Sequence, residues 1–205
     1  MDTAFLITAF TTLFVVIDPP GQTPIFMALT QGMDSRTRRG IALRACLTAA
    51  GILAMFAAFG EAVLGFVGIS MPAFRVAGGV LLFLTALDML FERRTKRRED
   101  RAEAEPHPDP SVFPLGIPLI AGPGSIATMI LLAGEHPGIE GLATVIAVML
   151  AVLAVVLFLY MISGFLARLL GKTGLNVVTR LLGMLLAALA VQFILDGLRA
   201  FGFAS

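Results

Sequence analysis

Six apolar runs of about 20 residues each constrain this chain more than any other feature of its sequence. They cover residues 4–30, 41–60, 72–91, 112–134, 141–163 and 176–198. A helix of this length crosses the hydrocarbon core of a bilayer. A mean hydropathy of +0.92 with 14% charged residues is typical of a polytopic membrane protein. The sequence therefore predicts an all-α membrane protein with six transmembrane helices.

The charged residues indicate the domain organisation and the orientation. Residues 1–91 and 112–205 hold three apolar runs each, and residues 92–111 form a charged linker between them. Thirteen of the 15 Lys and Arg residues fall in the connections after the first, third and fifth runs or within the first five residues of the run that follows. By the positive-inside rule these connections are cytoplasmic, which predicts that both termini lie on the periplasmic, outer side.

The two halves share a sequence pattern. "PPGQTPIFMAL" in the first run aligns with "GPGSIATMILL" in the fourth, so that Pro20–Gly21 matches Pro123–Gly124 at a shift of 103 residues. "LGFVGI" matches "LGKTGL" at a shift of 106 residues, and Arg75 matches Arg180 at 105. A unit of three spans must re-enter the membrane in the opposite orientation. The sequence therefore predicts two inverted three-helix repeats, a pattern typical of secondary transporters.

Helices 1 and 4 are predicted to break at these matched Pro–Gly pairs. Proline removes a backbone donor and glycine accepts the angles of a bend. The predicted breaking residues are Pro19, Pro20, Pro24, Gly122 and Pro123. An alternative is that the prolines only kink the helices, with neighbouring Ser and Thr hydroxyls bonding the freed backbone groups.

Two such breaks would form a binding site. The N-terminus of each new half-helix presents N–H groups and a partial positive charge that suit a carboxylate. The first halves end in free carbonyl groups, which suit an ammonium group or a small cation. A zwitterionic amino acid would use both. The predicted substrate contacts are Gly21, Gln22, Thr23, Gly124, Ser125 and Ile126.

Two further polar residues lie inside the apolar runs. Asp18 precedes the first break, and Ala121 takes its place in the second copy. An ionisable group at this depth marks an ion path, but Asp before Pro is also a common helix cap; both roles stay open, and one residue can fill both. Gln192 in helix 6 is a secondary candidate that faces the site or bonds a neighbouring helix.

Enzyme motifs are not found in the sequence. It has no H-E-x-x-H pair, no phosphate-binding glycine loop followed by Lys and no nucleophile elbow. We therefore expect no enzyme activity, no cofactor and no metal. The basic cluster of the linker is interrupted by acidic residues and is explained by topology, so nucleic acid is not an expected partner. Expected partners are a small-molecule substrate, H⁺ or Na⁺, and membrane lipid, and a homo-oligomer stays open.

The chain resembles the MarC family, also classed as a neutral amino acid transporter family. The family pattern D-P-x-G-x-x-P is met by Asp18, Pro19, Gly21 and Pro24, and "FPLGIPLIAGPGSI" resembles its second signature. "FRVAGGVLLFLTALDML" and "TRLLGMLLAALAVQFILDGL" resemble its third and sixth helices. Many members have Asn where this chain has Gln22. The resemblance implies six spans in a bacterial inner membrane, and some relatives are described as carriers of glycine, alanine and similar amino acids.

The residues and the resemblance together favour a secondary transporter of small neutral amino acids of the glycine and alanine type, coupled to protons or sodium. Two other hypotheses stay open. One is a channel or exporter for another small solute, and the other is a membrane scaffold without transport activity. A transporter and a channel differ in counterflow, and a scaffold should tolerate replacement of Asp18, Gly21 and Ser125.

Overall fold

The computed structural model describes residues 3–91 and 109–203, and every element within these ranges is helical. The elements are α1 (Thr3–Ile17), α2 (Pro19–Leu29), α3 (Ser35–Val67), α4 (Met71–Leu90), α5 (Ser111–Ile120), α6 (Pro123–Glu135), α7 (Ile139–Met161) and α8 (Ser163–Phe201). Five helical stretches are long and apolar enough to cross a membrane, with α1 and α2 together as one of them. The bent pair α5–α6 makes six, in agreement with the predicted number of spans. Most of the predicted linker, residues 92–108, lies outside the described residues.

The second span is longer than its apolar run. α3 covers 33 residues, or roughly 50 Å at 1.5 Å per residue, against a hydrocarbon core of about 30 Å. The Asp34 carboxylate caps it by accepting hydrogen bonds from the N–H groups of Arg36 and Thr37. The first turns of α3 include arginines that the sequence places in a connection. A capped helix can continue into water, and long basic side chains tolerate the boundary between membrane and water.

The last span is also extended, by a helical segment on its N-terminal side. α8 starts at Ser163, and its membrane-length part covers Thr173–Phe201, compared with the predicted 176–198. The two parts are separated at Gly171, whose backbone angles are φ 61° and ψ −179°. Glycine adopts this conformation at no steric cost, so the short segment can leave the axis of the span.

α4 and α8 pack closely along their lengths. A Cβ atom added at Gly79 would lie 2.8 Å from the carbonyl oxygen of Ala190, and one at Gly183 would lie 3.3 Å from that of Ala86. Small residues allow this approach of two helix backbones, as they commonly do inside membranes. The contact holds the third and sixth spans together.

Two apolar clusters fill the bundle, and the first span contributes to both. The larger cluster joins α1, α2, α3, α5, α6 and α7, and the smaller lies between α1, α4, α6 and α8. Leu13 and Ile17 belong to the larger cluster, Val15 and Val16 to the smaller. The end of α1 is therefore enclosed by protein. The buried polar residues of the described chain are Thr12, Asp18, Gln22, Thr23, Thr30, Ser111, Ser125, Thr128, Ser163 and Thr179. Seven of these ten belong to the two interrupted spans.

Candidate functional site

The first span is interrupted at Asp18. α1 ends at Ile17, Asp18 has left-handed backbone angles of φ 58° and ψ 62°, and α2 begins at Pro19. Asp is one of the few residues other than Gly that tolerate this conformation. The Pro20–Gly21 pair, where the sequence predicts the break, therefore lies in the first turn of α2. Proline fits there because the first N–H groups of a helix have no partner within it.

The Asp18 side chain caps the new half-helix. Its carboxylate is buried, and Oδ1 accepts hydrogen bonds from the Gly21 N–H (3.1 Å) and from the Thr179 hydroxyl of α8 (3.4 Å). A Cβ atom at Gly21 would lie 2.7 Å from Asp18 Cγ and 2.8 Å from Thr179 Oγ1. Only glycine leaves room for the carboxylate at this position. The capping role is thus present in the structure, and the ion-coupling role of Asp18 stays a prediction.

Gln22 connects the two interrupted spans. Its carboxamide nitrogen donates hydrogen bonds to the carbonyl of Ile17 (2.5 Å), which ends α1, and to that of Leu119 (3.0 Å), near the end of α5. Its carboxamide oxygen accepts a hydrogen bond from the Tyr160 hydroxyl of α7 (2.7 Å). Gln22 and Tyr160 are both buried. We call this set of three hydrogen bonds the Gln22 bridge.

The second interruption lies between α5 and α6. α5 is irregular, with wide turns in which the Leu115 N–H bonds the Pro110 carbonyl and the Ala121 N–H bonds the Gly116 carbonyl. It also contains cis peptide bonds before two prolines. Ala121 and Gly122 separate it from α6, which begins at Pro123, and the two helices form an angle of 57°.

Ser125 closes the second break with its own hydroxyl. Its Oγ atom lies 2.7 Å from the carbonyl oxygen of Ile120, to which it can donate, and accepts a hydrogen bond from the Gly122 N–H (2.9 Å). The second break has Ala121 where the first has Asp18. The two breaks are therefore closed differently, one by a carboxylate and a carboxamide and the other by a hydroxyl.

The remaining predicted contacts line these two helix starts. Thr23 is buried and donates to the Pro19 carbonyl (3.0 Å), and the Ile126 N–H donates to the Gly122 carbonyl (2.9 Å). A Cβ atom at Gly124 would lie 3.2 Å from Val16 Cγ1, so the start of α6 packs tightly against α1. The start of α6 therefore lies against the end of α1, and the binding roles of these residues stay predictions.

One expectation is wrong in this conformation. The carbonyl groups that end the first halves are not free, because side chains of the same spans bond them. The Gln22 carboxamide nitrogen donates to the Ile17 carbonyl, and the Ser125 hydroxyl lies within hydrogen-bond distance of the Ile120 carbonyl oxygen. The polar groups at a helix break inside a bundle need partners, and here the following turn supplies them.

Two residues of the site were missed by the sequence analysis. Tyr160 stacks on Phe26 with ring centroids 4.3 Å apart in addition to bonding Gln22, and Thr179 bonds Asp18. Arg38 lies 5.7 Å from the Phe26 ring centroid and donates to the Ser163 hydroxyl (2.9 Å), which extends the contacts towards one end of the bundle. Tyr160 is the only tyrosine of the chain, a signal that could have drawn attention to it.

The secondary candidate, Gln192, does not face the site. Its side chain is exposed on the outer surface of α8, where it donates to the Asp196 carboxylate (2.8 Å). The pairing joins residues one helical turn apart, because side chains four positions apart lie on the same face. Within residues 3–91 and 109–203, no group of three or more His, Cys, Asp or Glu side chains is placed to hold a metal ion.

Comparisons with known proteins place the chain in a family. Residues 3–201 match the model of the MarC family integral membrane proteins. The chain is 38% identical to the UPF0056 membrane protein YvbG of Bacillus subtilis, over 96% of this chain and 95% of the relative. It is 37% identical to a UPF0056 membrane protein of Archaeoglobus fulgidus, over 95% of this chain and 92% of the relative. The UPF0056 inner membrane protein YhgN of Escherichia coli K12 is 36% identical, over 95% of this chain and 96% of the relative.

No solved structure matches the chain. The family match covers both interrupted spans and the α4–α8 contact, so the site described above lies wholly within the matched region. The candidate spans agree with the description of the family as integral membrane proteins. The chain is a member of the MarC family of integral membrane proteins.

Proposed function

We propose that this protein is a secondary transporter of small neutral amino acids of the glycine and alanine type in a bacterial inner membrane. The observation that carries the proposal is the meeting of two interrupted spans inside the bundle, where Gln22 of one bonds the Leu119 carbonyl of the other. Interrupted helices at membrane depth are tolerated where they line a site or a cavity. The name of the E. coli relative YhgN supports the inner membrane as the location.

The different closure of the two breaks supports a zwitterionic substrate. The start of α6 has a partial positive charge from its helix dipole and Ala121 in place of an acid, which suits a substrate carboxylate near Gly124 and Ser125. The start of α2 carries the buried carboxylate of Asp18, which suits a substrate ammonium group. The two ends of an amino acid would therefore bind at different spans.

The structure also supports the inverted repeat. The Gln22 side chain bonds the carbonyl of Ile17, five residues before it, and the Ser125 hydroxyl lies within hydrogen-bond distance of the carbonyl of Ile120, also five residues before it. These pairs are related by the same shift of 103 residues as the Pro–Gly pairs. In addition, α2 packs on α8 as α6 packs on α4. Under the proposal the termini face the outer side, and movement of one repeat against the other gives alternating access.

Counterflow in proteoliposomes tests the function. Vesicles loaded with unlabelled glycine or alanine should accumulate labelled substrate transiently, with saturation and preference between enantiomers of alanine. A channel would give no counterflow, and a scaffold would give no flux. Gly124→Leu should abolish counterflow because the added side chain meets Val16 at the start of α6. Gly51→Leu is the matched control, since nothing lies within 4 Å of a Cβ atom there. Folded wild-type protein that exchanges no amino acid contradicts the proposal.

Asp18 is proposed to carry the coupling proton or sodium ion. Asn also caps helices and also tolerates left-handed angles, so Asp18→Asn keeps the geometry of the break while it removes the charge. We expect Asp18→Asn to retain counterflow of glycine at a reduced affinity and to lose accumulation driven by an imposed proton or sodium gradient. Gradient-driven accumulation equal to that of the wild type would show that Asp18 is only a cap.

A further inference from the structure

The Gln22 bridge has a chemical feature that its structural role does not require. The –NH₂ group of Gln22 donates to carbonyl oxygens of both interrupted helices, that of Ile17 at 2.5 Å and that of Leu119 at 3.0 Å. Two carbonyl groups that converge on one nitrogen also form a binding site for a primary ammonium group, which has three N–H donors. The carboxamide nitrogen of Gln22 thus stands at a position that the ammonium group of an amino acid would fit.

We propose that the Gln22 carboxamide occupies the position of the substrate's ammonium group and that the substrate displaces it. The incoming ammonium group would take over the carbonyls of Ile17 and Leu119, and Gln22 would lose its hydrogen bond from Tyr160. This proposal rests on the proposed function, because it assigns one end of the same substrate to a defined pair of acceptors. No covalent step is involved.

The exchange is favoured by charge. A carboxamide is neutral, whereas an ammonium group forms charge-assisted hydrogen bonds that are about twice as strong as neutral ones. The buried carboxylate of Asp18 directly follows Ile17 in the chain and adds a favourable field for a cation. A ligand without N–H donors on its cationic group is attracted by the Asp18 carboxylate but cannot donate hydrogen bonds to the Ile17 and Leu119 carbonyls.

The size of the subsite limits the ligand. Gln22, Thr23, Ser125 and Tyr160 are all at most 2% exposed, so the space for a ligand comes mainly from the displaced carboxamide. That group has three heavy atoms and glycine has five, so even glycine needs some adjustment of its surroundings, and a long substrate side chain would meet closely packed neighbours. The proposal therefore assigns glycine and alanine, rather than branched or aromatic amino acids, to this subsite.

Displacement would also release α2 from its neighbours. Gln22 belongs to α2, whereas Leu119 belongs to α5 and Tyr160 to α7. One binding event therefore removes hydrogen bonds between α2 and two other elements. This gives the substrate a direct means of favouring a different packing of the two halves, as a ligand must if it is to shift a conformational equilibrium.

The chain contains its own reporter for this exchange. Tyr160 is its only tyrosine and it has no tryptophan, so the intrinsic tyrosine emission comes from the Gln22 bridge alone. Purified wild-type protein in lipid vesicles, which contain no other protein, is titrated with glycine, with propionate, which lacks the ammonium group, and with N,N,N-trimethylglycine, which lacks N–H donors. Gln22→Leu defines the emission of a Tyr160 released from Gln22.

We expect glycine to shift the wild-type emission, with saturation, to the level of Gln22→Leu, and we expect no shift from the other two ligands. Gln22→Leu itself should not respond. Gln192→Leu, which changes an exposed glutamine away from the site, should respond as the wild type does. An equal shift with propionate or with N,N,N-trimethylglycine overturns the proposal. Counterflow of glycine without any change in emission overturns it as well and leaves the proposed function standing, whereas failure of both overturns both.

A second variant keeps the proposal testable if Gln22→Leu does not fold. Tyr160→Phe preserves the stacking on Phe26 and removes one hydrogen bond that the substrate would have to break. At about 1 kcal/mol for such a bond, labelled glycine should bind about fivefold more tightly. Equal or weaker binding of glycine to folded Tyr160→Phe contradicts displacement of the bridge.

Discussion

Replacing Gln22 by Leu should destabilise the fold by more than any single substitution on the outer surface of the bundle. The variant leaves the Ile17 and Leu119 carbonyls and the Tyr160 hydroxyl without the partner that they have in the wild type. An unsatisfied buried group costs about 1–3 kcal/mol, and partial relaxation brings three of them to roughly 3–5 kcal/mol. At about 2–4 °C per kcal/mol for a chain of this size, the melting temperature should fall by roughly 6–20 °C.

Cys46 gives a simple assay for this prediction. It is the only cysteine of the chain and is buried, so a fluorogenic thiol reagent in detergent reports unfolding as the thiol becomes accessible. Tyr160→Phe removes one hydrogen bond, whose net contribution is about 1–1.5 kcal/mol, and should lower the melting temperature by roughly 2–6 °C. The double variant should melt close to Gln22→Leu alone, because their shared bond is already lost and the two changes are coupled.

Gln192→Leu serves as the control, since an exposed change of this kind should stay within about 0.5 kcal/mol of the wild type. If Gln22→Leu melts no lower than Gln192→Leu, the Gln22 bridge is not formed in the folded protein. If the effects of Gln22→Leu and Tyr160→Phe simply add, then their side chains do not bond each other. Either result refutes the reasoning, and neither depends on whether the protein transports amino acids.

Two further predictions concern regions outside the site. Gly79→Ala should destabilise by about 1–3 kcal/mol, because its Cβ atom would lie 2.8 Å from the Ala190 carbonyl oxygen. Gly51→Ala, with nothing within 4 Å of the new atom, should instead be neutral or stabilising by up to about 1 kcal/mol in the same thermal assay. The pKa of Asp109 lies below its ordinary value of 3.8 because the Ser111 hydroxyl, its N–H group and Arg44 all favour the carboxylate. The stability that Asp109 adds is therefore present above pH 3.8 and is lost as the pH falls through the lowered pKa. Thermal melting of the wild type and of Asp109→Asn at several pH values checks this. The difference in their free energies of unfolding should stay below about 1 kcal/mol, because the ion pair is half exposed.

Much of the fold could be predicted because it depends on local and periodic features. The length of the apolar runs gives the spans, and an Asp–Pro pair inside such a run indicates an interruption. The position of the first break differed by two residues, at Asp18 rather than at Pro20–Gly21. Proline is compatible with the first turn of a helix, so a proline pair indicates a helix start as readily as a break.

The partners in the site could not be predicted, because they depend on helix rotation and on contacts far apart in the chain. Gln22 and Tyr160 are 138 residues apart, and Asp18 and Thr179 are 161 apart. Gln192 was wrong as a site candidate for the same reason. The sequence indicates that a glutamine lies within helix 6, but the rotation of α8 about its axis is set by its close packing on α4.

The difference between the two breaks is the strongest argument for a substrate with opposite charges at its two ends. Two identical breaks would present the same partial charges to a ligand and would suit a symmetric one. In this chain Asp18 adds a carboxylate at the start of α2, while Ala121 leaves the start of α6 without one. Under the proposed function, Ala121→Asp would place a carboxylate at both breaks and repel the carboxylate of the substrate. Glycine counterflow should then be lost. Ala121 is only 2% exposed, and Gly122 rather than Ala121 caps α6, so a buried carboxylate there should also lower the melting temperature. Counterflow is therefore compared at a temperature at which both the variant and the wild type are folded.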